Sequence, residues 1–202
     1  MKIRRISPRK EPVQERSKAL RQYMLEAAAY ILEHDGPLKF STNKVAERAG
    51  VNIASLYQYY PNKESLLFHL VELQWEKTYS TVYPVLKDTN LSHQKRMHLF
   101  IQRFFQMEAK DRNLKDAMAH LGFLIEGTRE YQDLCAKGQK AFVEFLESQN
   151  KRPADRHEVN AEFILHTITS FSECQSAGVW VDIERDSKMM AEMICSHFGI
   201  KK

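Results

Sequence analysis

The stretch that decides the fold is Thr42–Leu67, which reads TNKVAERAGVNIASLYQYYPNKESLL. Two short helical patterns lie in it, over about 42–49 and about 53–60, and Gly50 separates them. Glycine reaches the left-handed backbone region at little steric cost, and a sharp turn between two helices requires that conformation. The spacing therefore predicts a helix-turn-helix.

The second helix of this motif has a polar outward face. Leu56 and Tyr60 are four residues apart, so they share one side of the helix and are predicted to pack inward. Tyr57 is predicted at the flank, and the side chains predicted to point outward are Ala54, Ser55, Gln58 and Tyr59. Small, amide and phenol groups on a short exposed helix are typical of a helix that reads base edges in the DNA major groove.

Short polar side chains mark the helix ends in this stretch. Thr42 and Asn52 are predicted to cap the first and second helices, because their side-chain oxygens can accept unpaired amides of the first turn. Pro61 stops the second helix, and Asn62 is predicted to cap a third helix with Glu64 in its first turn. Thr42 could also donate to a phosphate, so both roles stay open for its hydroxyl.

Three segments and several upstream positions form a recognisable pattern. The segments are VAERAGV at 45–51, LYQYY at 56–60 and KESLL at 63–67, and the upstream positions are Arg21, Leu25, Ala27, Ala28 and Gly36. Over roughly residues 16–70, this pattern resembles the TetR family of bacterial transcription regulators. The chain departs from the family at 52–55, Asn-Ile-Ala-Ser, where many members carry Ser, Gly and Thr. Its preferred bases therefore cannot be transferred from a relative.

The resemblance implies a DNA-binding domain followed by a more variable helical domain. Family members contact phosphate at the position of Lys63. We expect Gln58 and Ser55 to contact bases, with Asn52 able to contribute. The residues expected to hold mainly phosphate are Thr42, Tyr57, Tyr59 and Lys63.

Charge is unevenly distributed along the 202 residues, whose net charge is +4. Residues 1–63 contain 12 Lys or Arg against 6 Asp or Glu, whereas residues 64–202 contain 18 against 20. The positive excess lies on the half with the helix-turn-helix, which indicates a polyanionic partner for that half, and we expect double-stranded DNA. Residues 1–12 are basic and lack periodicity, so they are interpreted as a flexible arm. Such an arm either reaches phosphates or the minor groove, or is disordered and adds only weak charge steering.

The remaining sequence predicts helices throughout and no strand. An apolar stripe over about 13–34 predicts a helix that Gly36-Pro37 ends and that braces the motif. A long helix is predicted from Asn62 toward Pro84, and five more amphipathic stripes follow it. The fold class is all-α, with an N-terminal three-helix DNA-binding domain and a C-terminal helical domain for effector binding and dimerisation. The predicted domains are the basic arm at 1–12, the helix-turn-helix domain at 13–66 and the second domain at 67–202.

Two sets of side chains in the second domain carry further hypotheses. The last helix has a broad apolar face that the resemblance implies is a homodimer contact; its residues are Met190, Met193, Ile194 and His197. The candidate lining of an effector cavity is rich in Phe and Met and comprises Phe100, Phe104, Met107, Met118, Phe123, Ile164, His166 and Phe171. Such a lining favours a mostly apolar or aromatic effector. Packing in the chain's own core is the alternative for both sets.

Enzymatic chemistry has little support in the sequence. There is no phosphate-binding glycine loop, no HExxH and no paired CxxC. His98, His120 and His166 could converge in the second domain, but metal-ligand spacing is missing, so we expect no metal site, no cofactor and no enzyme. The odd, widely spaced cysteines Cys135, Cys174 and Cys195 favour a reduced cytosolic compartment and buried, inert thiols. Neither a membrane span nor a signal-peptide core is evident.

Three classes of function are compatible with these sequence features. The leading class is a homodimeric transcription regulator, a repressor that binds a palindromic operator and is released by a small effector. The second is a DNA-binding protein controlled by a protein partner, or a nucleoid factor, without a small ligand. The third is an enzyme. A cavity in the second domain would favour the first class, and a filled core would favour the second.

Overall fold

A computed structural model of the chain describes residues 15–149, 156–176 and 182–200. Within these ranges the chain forms α-helices and short helical turns and contains no β-strand, which confirms the all-α prediction. The predicted basic arm at 1–12 lies outside the described residues. None of the described helices combines the length and apolar character needed to cross a bilayer.

Nine α-helices are formed by the described residues, and their bounds follow the predicted pattern closely. They are α1 Glu15–Tyr30, α2 Thr42–Arg48, α3 Ile53–Tyr59, α4 Lys63–Val82, α5 His93–Ala109, α6 Arg112–Ala119, α7 Arg129–Glu147, α8 His157–Ser176 and α9 Ile183–Phe198. A π-helical turn over Ile31–Asp35 extends α1, and short 3-10 helices lie at Pro37–Lys39, Tyr83–Lys87 and Gly122–Leu124.

The chain divides into two compact units. The first comprises Met1–Trp75 with Arg112–Leu134, and the second comprises Glu76–Asp111 with Cys135–Lys202. This division differs from the boundary predicted between residues 66 and 67, because α4 contributes residues to both units. It also assigns 112–134, which follows the long helix in sequence, to the first unit.

The turn of the helix-turn-helix has the predicted backbone. Gly50 has a φ of 65°, in the left-handed region, and its amide donates to the Glu47 carbonyl at 3.1 Å. Asn52 caps α3 as predicted, its Oδ1 accepting the Ala54 amide at 2.8 Å. At the start of α4, the Asn62 Oδ1 accepts the Ser65 amide at 2.7 Å, which confirms the third cap.

The predicted cap of α2 is wrong by one residue. Ser41, not Thr42, is the capping residue: its backbone is extended and its Oγ accepts the Lys44 amide at 3.4 Å. Thr42 is instead the first helical residue. The reason is geometric, because a cap needs non-helical backbone and the helix begins one residue earlier than a cap at Thr42 would require.

The core of the first unit surrounds the helix-turn-helix. Leu56 and Tyr60 are fully buried, which confirms their predicted inward orientation. The apolar sides of α1, the turn after it and α6 complete this core with Met24, Ala28, Ile31, Leu32, Leu114, Ala117 and Met118.

The core of the second unit is rich in aromatic rings. Phe100 contacts Tyr83 edge to face at 5.1 Å between ring centroids, and contacts Phe142 in the same way at 4.8 Å. Helix α9 packs along α5 and buries Met190, Ala191, Ile194 and Cys195 in this core. Arg96 is buried among them, and its Nη1 donates to the Leu86 carbonyl at 3.0 Å.

Replacing Gly50 by valine is expected to lower the free energy of unfolding by about 1–2 kcal/mol, because an L-residue in the left-handed region costs that much. A Cβ at Gly50 would meet no atom within 4 Å, so the cost comes from the backbone conformation and not from a clash. Denaturant unfolding of the variant measures it.

Gly127→Val is the matched control for Gly50→Val. A Cβ at Gly127 also meets nothing within 4 Å, but this glycine is not among the described residues with positive φ. Equal losses of stability in the two variants would contradict the proposed role of the Gly50 backbone.

Candidate nucleic-acid interface

The exposed side of α3 presents three exposed side chains. Ala54, Tyr57 and Gln58 are exposed, whereas Ser55 is only partly so. Asn52 is exposed as well, but its Oδ1 already accepts the Ala54 amide in the helix cap. The outward orientation predicted for Ala54 and Gln58 is thus confirmed.

The outward orientation predicted for Tyr59 is wrong. This side chain is only 5 % exposed and packs in the core of the first unit. Tyr59 lies three residues after Leu56, so the two side chains share the inward side of α3. Tyr59 is also the last residue of the helix. A buried ring of this kind is not part of the contact surface, so its expected phosphate contact is not supported.

A hydroxyl pair joins the two helices of the motif. The Thr42 Oγ1 and the Tyr57 hydroxyl lie 3.1 Å apart, within hydrogen-bonding distance, and either can donate. Thr42 is at the first position of α2, and Tyr57 is on the exposed side of α3. The pair fixes the phenol hydroxyl beside the start of α2, where it keeps capacity for a further hydrogen bond.

The start of α4 is a positively polarised place in the first unit. Lys63 is the first residue of this 20-residue helix, directly after the Asn62 cap. The helix dipole adds positive potential at such an end. The ammonium group and the helix end together suit a phosphate.

A buried polar network holds the end of α3, and no pattern in the sequence predicted it. The Tyr60 hydroxyl lies 2.6 Å from the His69 Nδ1, and the Arg21 Nε donates to that hydroxyl at 3.3 Å. The Arg21 Nη2 lies 3.1 Å from the His69 Nε2. The network therefore joins α1, the residue after α3, and α4. A buried tyrosine signals a hydrogen-bonding partner, but not which one.

His69 contacts both a phenol and a guanidinium. The Arg21 Nη2 also lies 3.3 Å from the His69 Nδ1, so the guanidinium, which can only donate, approaches both ring nitrogens. Burial, with the Arg21 charge as the second cause, lowers the pKa of His69 to about 4. Burial also raises the pKa of Tyr60 to about 12. Both groups are thus neutral near pH 7.

A stack of planar groups connects α2 with α1. The Arg48 guanidinium carbon lies 3.1 Å from the centre of the Tyr30 ring, and Tyr30 stacks on His34 at 4.0 Å between centroids. A guanidinium over a phenol is attracted by the ring quadrupole. The end of α2 is therefore held to α1 independently of the apolar core.

The residues predicted for an effector site fall into both units. Met118 and Phe123 belong to the first unit, and Phe123 is 73 % exposed, while the other six belong to the second. In the second unit Phe100 and Ile164 are fully buried, and His166 is exposed on α8. The remaining three are partly buried against the aromatic core: Phe104, Met107 and Phe171.

The residues predicted for dimer contact are divided between core and surface. Met190 and Ile194 are buried in the chain's own core, so their prediction as contacts with a second copy is wrong. Met193 and His197 are exposed. The apolar face of α9 is broad because one part of it packs on α5, and sequence periodicity does not separate the two parts.

The structure also gives the positions of the histidines and cysteines that the sequence analysis considered. Among the described residues, no group of three or more His, Cys, Asp or Glu side chains is placed to hold a metal ion. His120 lies in the first unit and His98 and His166 in the second. Cys195 is buried, as expected, and burial raises the pKa of its thiol to about 11. Cys135 is exposed, against expectation, and the side chain of Cys174 lies outside the described residues.

Comparison with known proteins agrees with this geometry. Residues 24–70 match the model of the bacterial regulatory proteins of the tetR family. They form a TetR-family helix-turn-helix.

Solved structures share the fold over most of the chain. A TetR-like transcriptional regulator from Rhodococcus sp. RHA1 superposes with a TM-score of 0.66 at 17% identity, covering 90% of this chain and 97% of that one. The transcriptional regulator FadR from Bacillus subtilis, solved in complex with stearoyl-CoA, superposes with a TM-score of 0.69 at 18% identity, covering 87% and 97%.

A relative among curated proteins covers less of the sequence. The nucleoid occlusion factor SlmA of Aliivibrio fischeri is 28% identical over 110 residues. These residues are 54% of this chain and 56% of the relative, so the match spans about half the length of each protein.

The stability of the protein is expected to fall between pH 6.5 and pH 4 through His69. The pKa of this side chain is lower in the folded state than its ordinary 6.5, so the unfolded state binds the proton more tightly. The contribution is fully present above pH 6.5, is lost as the pH falls through about 4, and is at most about 3 kcal/mol. Denaturant unfolding across this range measures it.

His69→Gln should remove this part of the pH dependence, because the amide has no proton to gain. The exposed His120 lies outside the network, so His120→Gln is the control and should keep the wild-type slope. Identical slopes in the wild type and His69→Gln would show that the network does not carry the effect.

Proposed function

We propose that the chain is a homodimeric transcription regulator, a repressor that binds a palindromic operator in double-stranded DNA. The observation that carries the proposal is the exposed side of α3, where Gln58 and Ala54 are unobstructed. The proposed phosphate contacts are the Thr42–Tyr57 hydroxyl pair, which includes a residue of α3, and Lys63, the first residue of α4. A helix that reads the major groove needs both kinds of contact. Phosphate contacts fix the position of the protein on the duplex, and base contacts determine which sequence it prefers.

Selection of duplexes from a random pool by the full-length chain tests the proposal. A two-fold symmetric dimer that places two recognition helices about 34–36 Å apart, or a larger multiple, selects a palindrome with matching half-site spacing. If the selection enriches no particular sequence, the proposal is overturned.

Gln58 and Lys63 are expected to contribute in different ways to operator binding. Gln58→Ala should relax discrimination at one or two base pairs by about 1–3 kcal/mol, because a glutamine amide can make a bidentate contact with a base. Lys63→Ala should weaken binding to all sequences alike and reduce the salt slope by about one unit. Binding to operator variants over a range of salt concentrations distinguishes the two. Altered sequence preference in Lys63→Ala, with none in Gln58→Ala, would reverse the assignment.

The proposed dimer contact lies on the exposed sides of α8 and α9. Support comes from four large apolar side chains that are exposed there: Val159, Phe163, Met189 and Met193. The two helices are neighbours, because the Phe163 and Phe198 rings lie 6.0 Å apart. An apolar surface on two adjacent helices suits an isologous contact, in which the same patch meets its copy.

Phe163→Glu combined with Met193→Glu is expected to separate the dimer into monomers, because it puts charges into an apolar contact. The two side chains are 59 % and 56 % exposed, so the substitutions need not disturb the core. Sedimentation velocity measures the state, and Phe123→Glu in the first unit, also at an exposed apolar position, is the control. A double variant that sediments like the wild type would require a different interface.

A small, mostly apolar or aromatic effector is the regulatory part of the proposal. It is supported by the partly buried Phe104, Met107 and Phe171 at the edge of the aromatic core, and by the stearoyl-CoA of the FadR complex. An effector releases DNA only if it binds one conformation more tightly than the other. Screening of acyl and aromatic compounds for both thermal stabilisation and operator release tests this part, and a set of ligands that stabilises without release would contradict it.

A nucleoid factor is the second candidate function. The name of the curated relatives favours it, although the match spans only about half of their length. Cross-linking of the protein to the chromosome separates the two functions. A regulator occupies a few promoters, whereas a nucleoid factor occupies many sites irrespective of promoters.

A further inference from the structure

The centre of the exposed side of α3 consists of a methyl group and an amide. Ala54 is in the first turn of the helix, and Gln58 follows it by four residues, so the two lie one above the other on the same side. Both are exposed, and the inward side of the helix is occupied by Leu56 and Tyr59. In helix-turn-helix proteins, N-terminal residues of the second helix contact base edges, and Ala54 is in this part of α3.

The neighbouring polar groups are less able to compete for the same bases. Asn52 uses one lone pair of its Oδ1 to cap the helix, which fixes its amide at the start of α3. The Tyr57 hydroxyl is paired with Thr42, and Ser55 is only partly exposed at the flank. Ala54 and Gln58 are thus the two side chains best placed to face base edges.

The chemistry of these two groups restricts what they can recognise. A glutamine amide matches the donor and acceptor pair of adenine in the major groove. An alanine methyl has neither donor nor acceptor, and the apolar group that base edges offer in the major groove is the 5-methyl of thymine. The helix therefore has one group suited to adenine and one suited to thymine, a single turn apart.

We infer that Ala54 is a specificity-determining residue that contacts the 5-methyl group of one thymine in each operator half-site, beside an adenine contacted by Gln58. The inference rests on the proposed function, and it adds the class of base pair that the site must contain. It also gives a role to the 52–55 segment, where this chain departs from the common family pattern.

Uracil in place of thymine tests the inference, because it removes the methyl group and keeps the base pair. The full-length chain is first used to select an operator from random duplexes. Each thymine is then replaced in turn by uracil, and the affinities are compared at one salt concentration. We expect replacement of one thymine in each half-site to lower the affinity about fourfold. This loss corresponds to the burial of one methyl-sized group.

Ala54→Gly should abolish the difference between thymine and uracil at that position. Because each variant is compared with itself on two duplexes, any general loss of helix stability cancels in the ratio. Asn43→Gly, at an exposed position in the first turn of α2, is the control and should keep the fourfold ratio.

The outcomes separate the inference from the function on which it rests. Selection that enriches no sequence overturns both. Specific binding in which no thymine-to-uracil change matters, or in which the ratio persists in Ala54→Gly, overturns the role of Ala54 and leaves the proposed DNA-binding function standing.

Discussion

The position of helix α3 depends on the hydrogen bond between the Tyr60 hydroxyl and His69. Helix α3 has only seven residues, and so short a helix is not stable by its own backbone hydrogen bonds. Its position must come from tertiary contacts. Leu56 and Tyr59 anchor one side in the core, and Tyr60 fastens the end to α1 and α4 through Arg21 and His69. A directional contact of this kind fixes rotation as well as burial, which an apolar contact alone does not.

The same network explains why a cation is tolerated so near the core. Arg21 donates to the Tyr60 hydroxyl and contacts a neutral imidazole, so hydrogen bonds stabilise its charge. The cost is a histidine that resists protonation, because burial and the guanidinium charge both lower its pKa. The positive charge is kept at the domain that carries the positive excess of the sequence, where it favours a polyanion.

Local chemistry made much of the DNA-binding unit predictable, and long-range contacts limited the rest. The Gly50 turn and the Asn52 and Asn62 caps follow from residues next to each other in sequence. The outward orientation predicted for Tyr59 was wrong because a helix of seven residues is short. Its periodicity does not distinguish a side chain at the flank from one in the core. The network of Arg21, Tyr60 and His69 joins positions 39 and 48 residues apart, so no local pattern indicates it.

The second unit was less predictable for a related reason. An apolar stripe indicates that one side of a helix is buried, but it does not show which element packs against that side. Met190 and Ile194 pack within the chain while Met193 lies on the surface of the same helix. Met118 and Phe123 belong to the first unit because α6 packs against the turn that follows α1, and this contact joins segments about 80 residues apart in sequence.

The most direct measurement of the central claim is the ratio of two affinities of the full-length chain at near-physiological salt. One duplex is the selected operator, and the other is a scrambled duplex of the same length and composition, so that phosphate contacts are equal in both. If α3 reads base edges, the affinity for the operator should exceed that for the scrambled duplex by about 10³ or more. Equal affinities would show that the chain binds the DNA backbone alone and would contradict the account of α3 as a recognition helix.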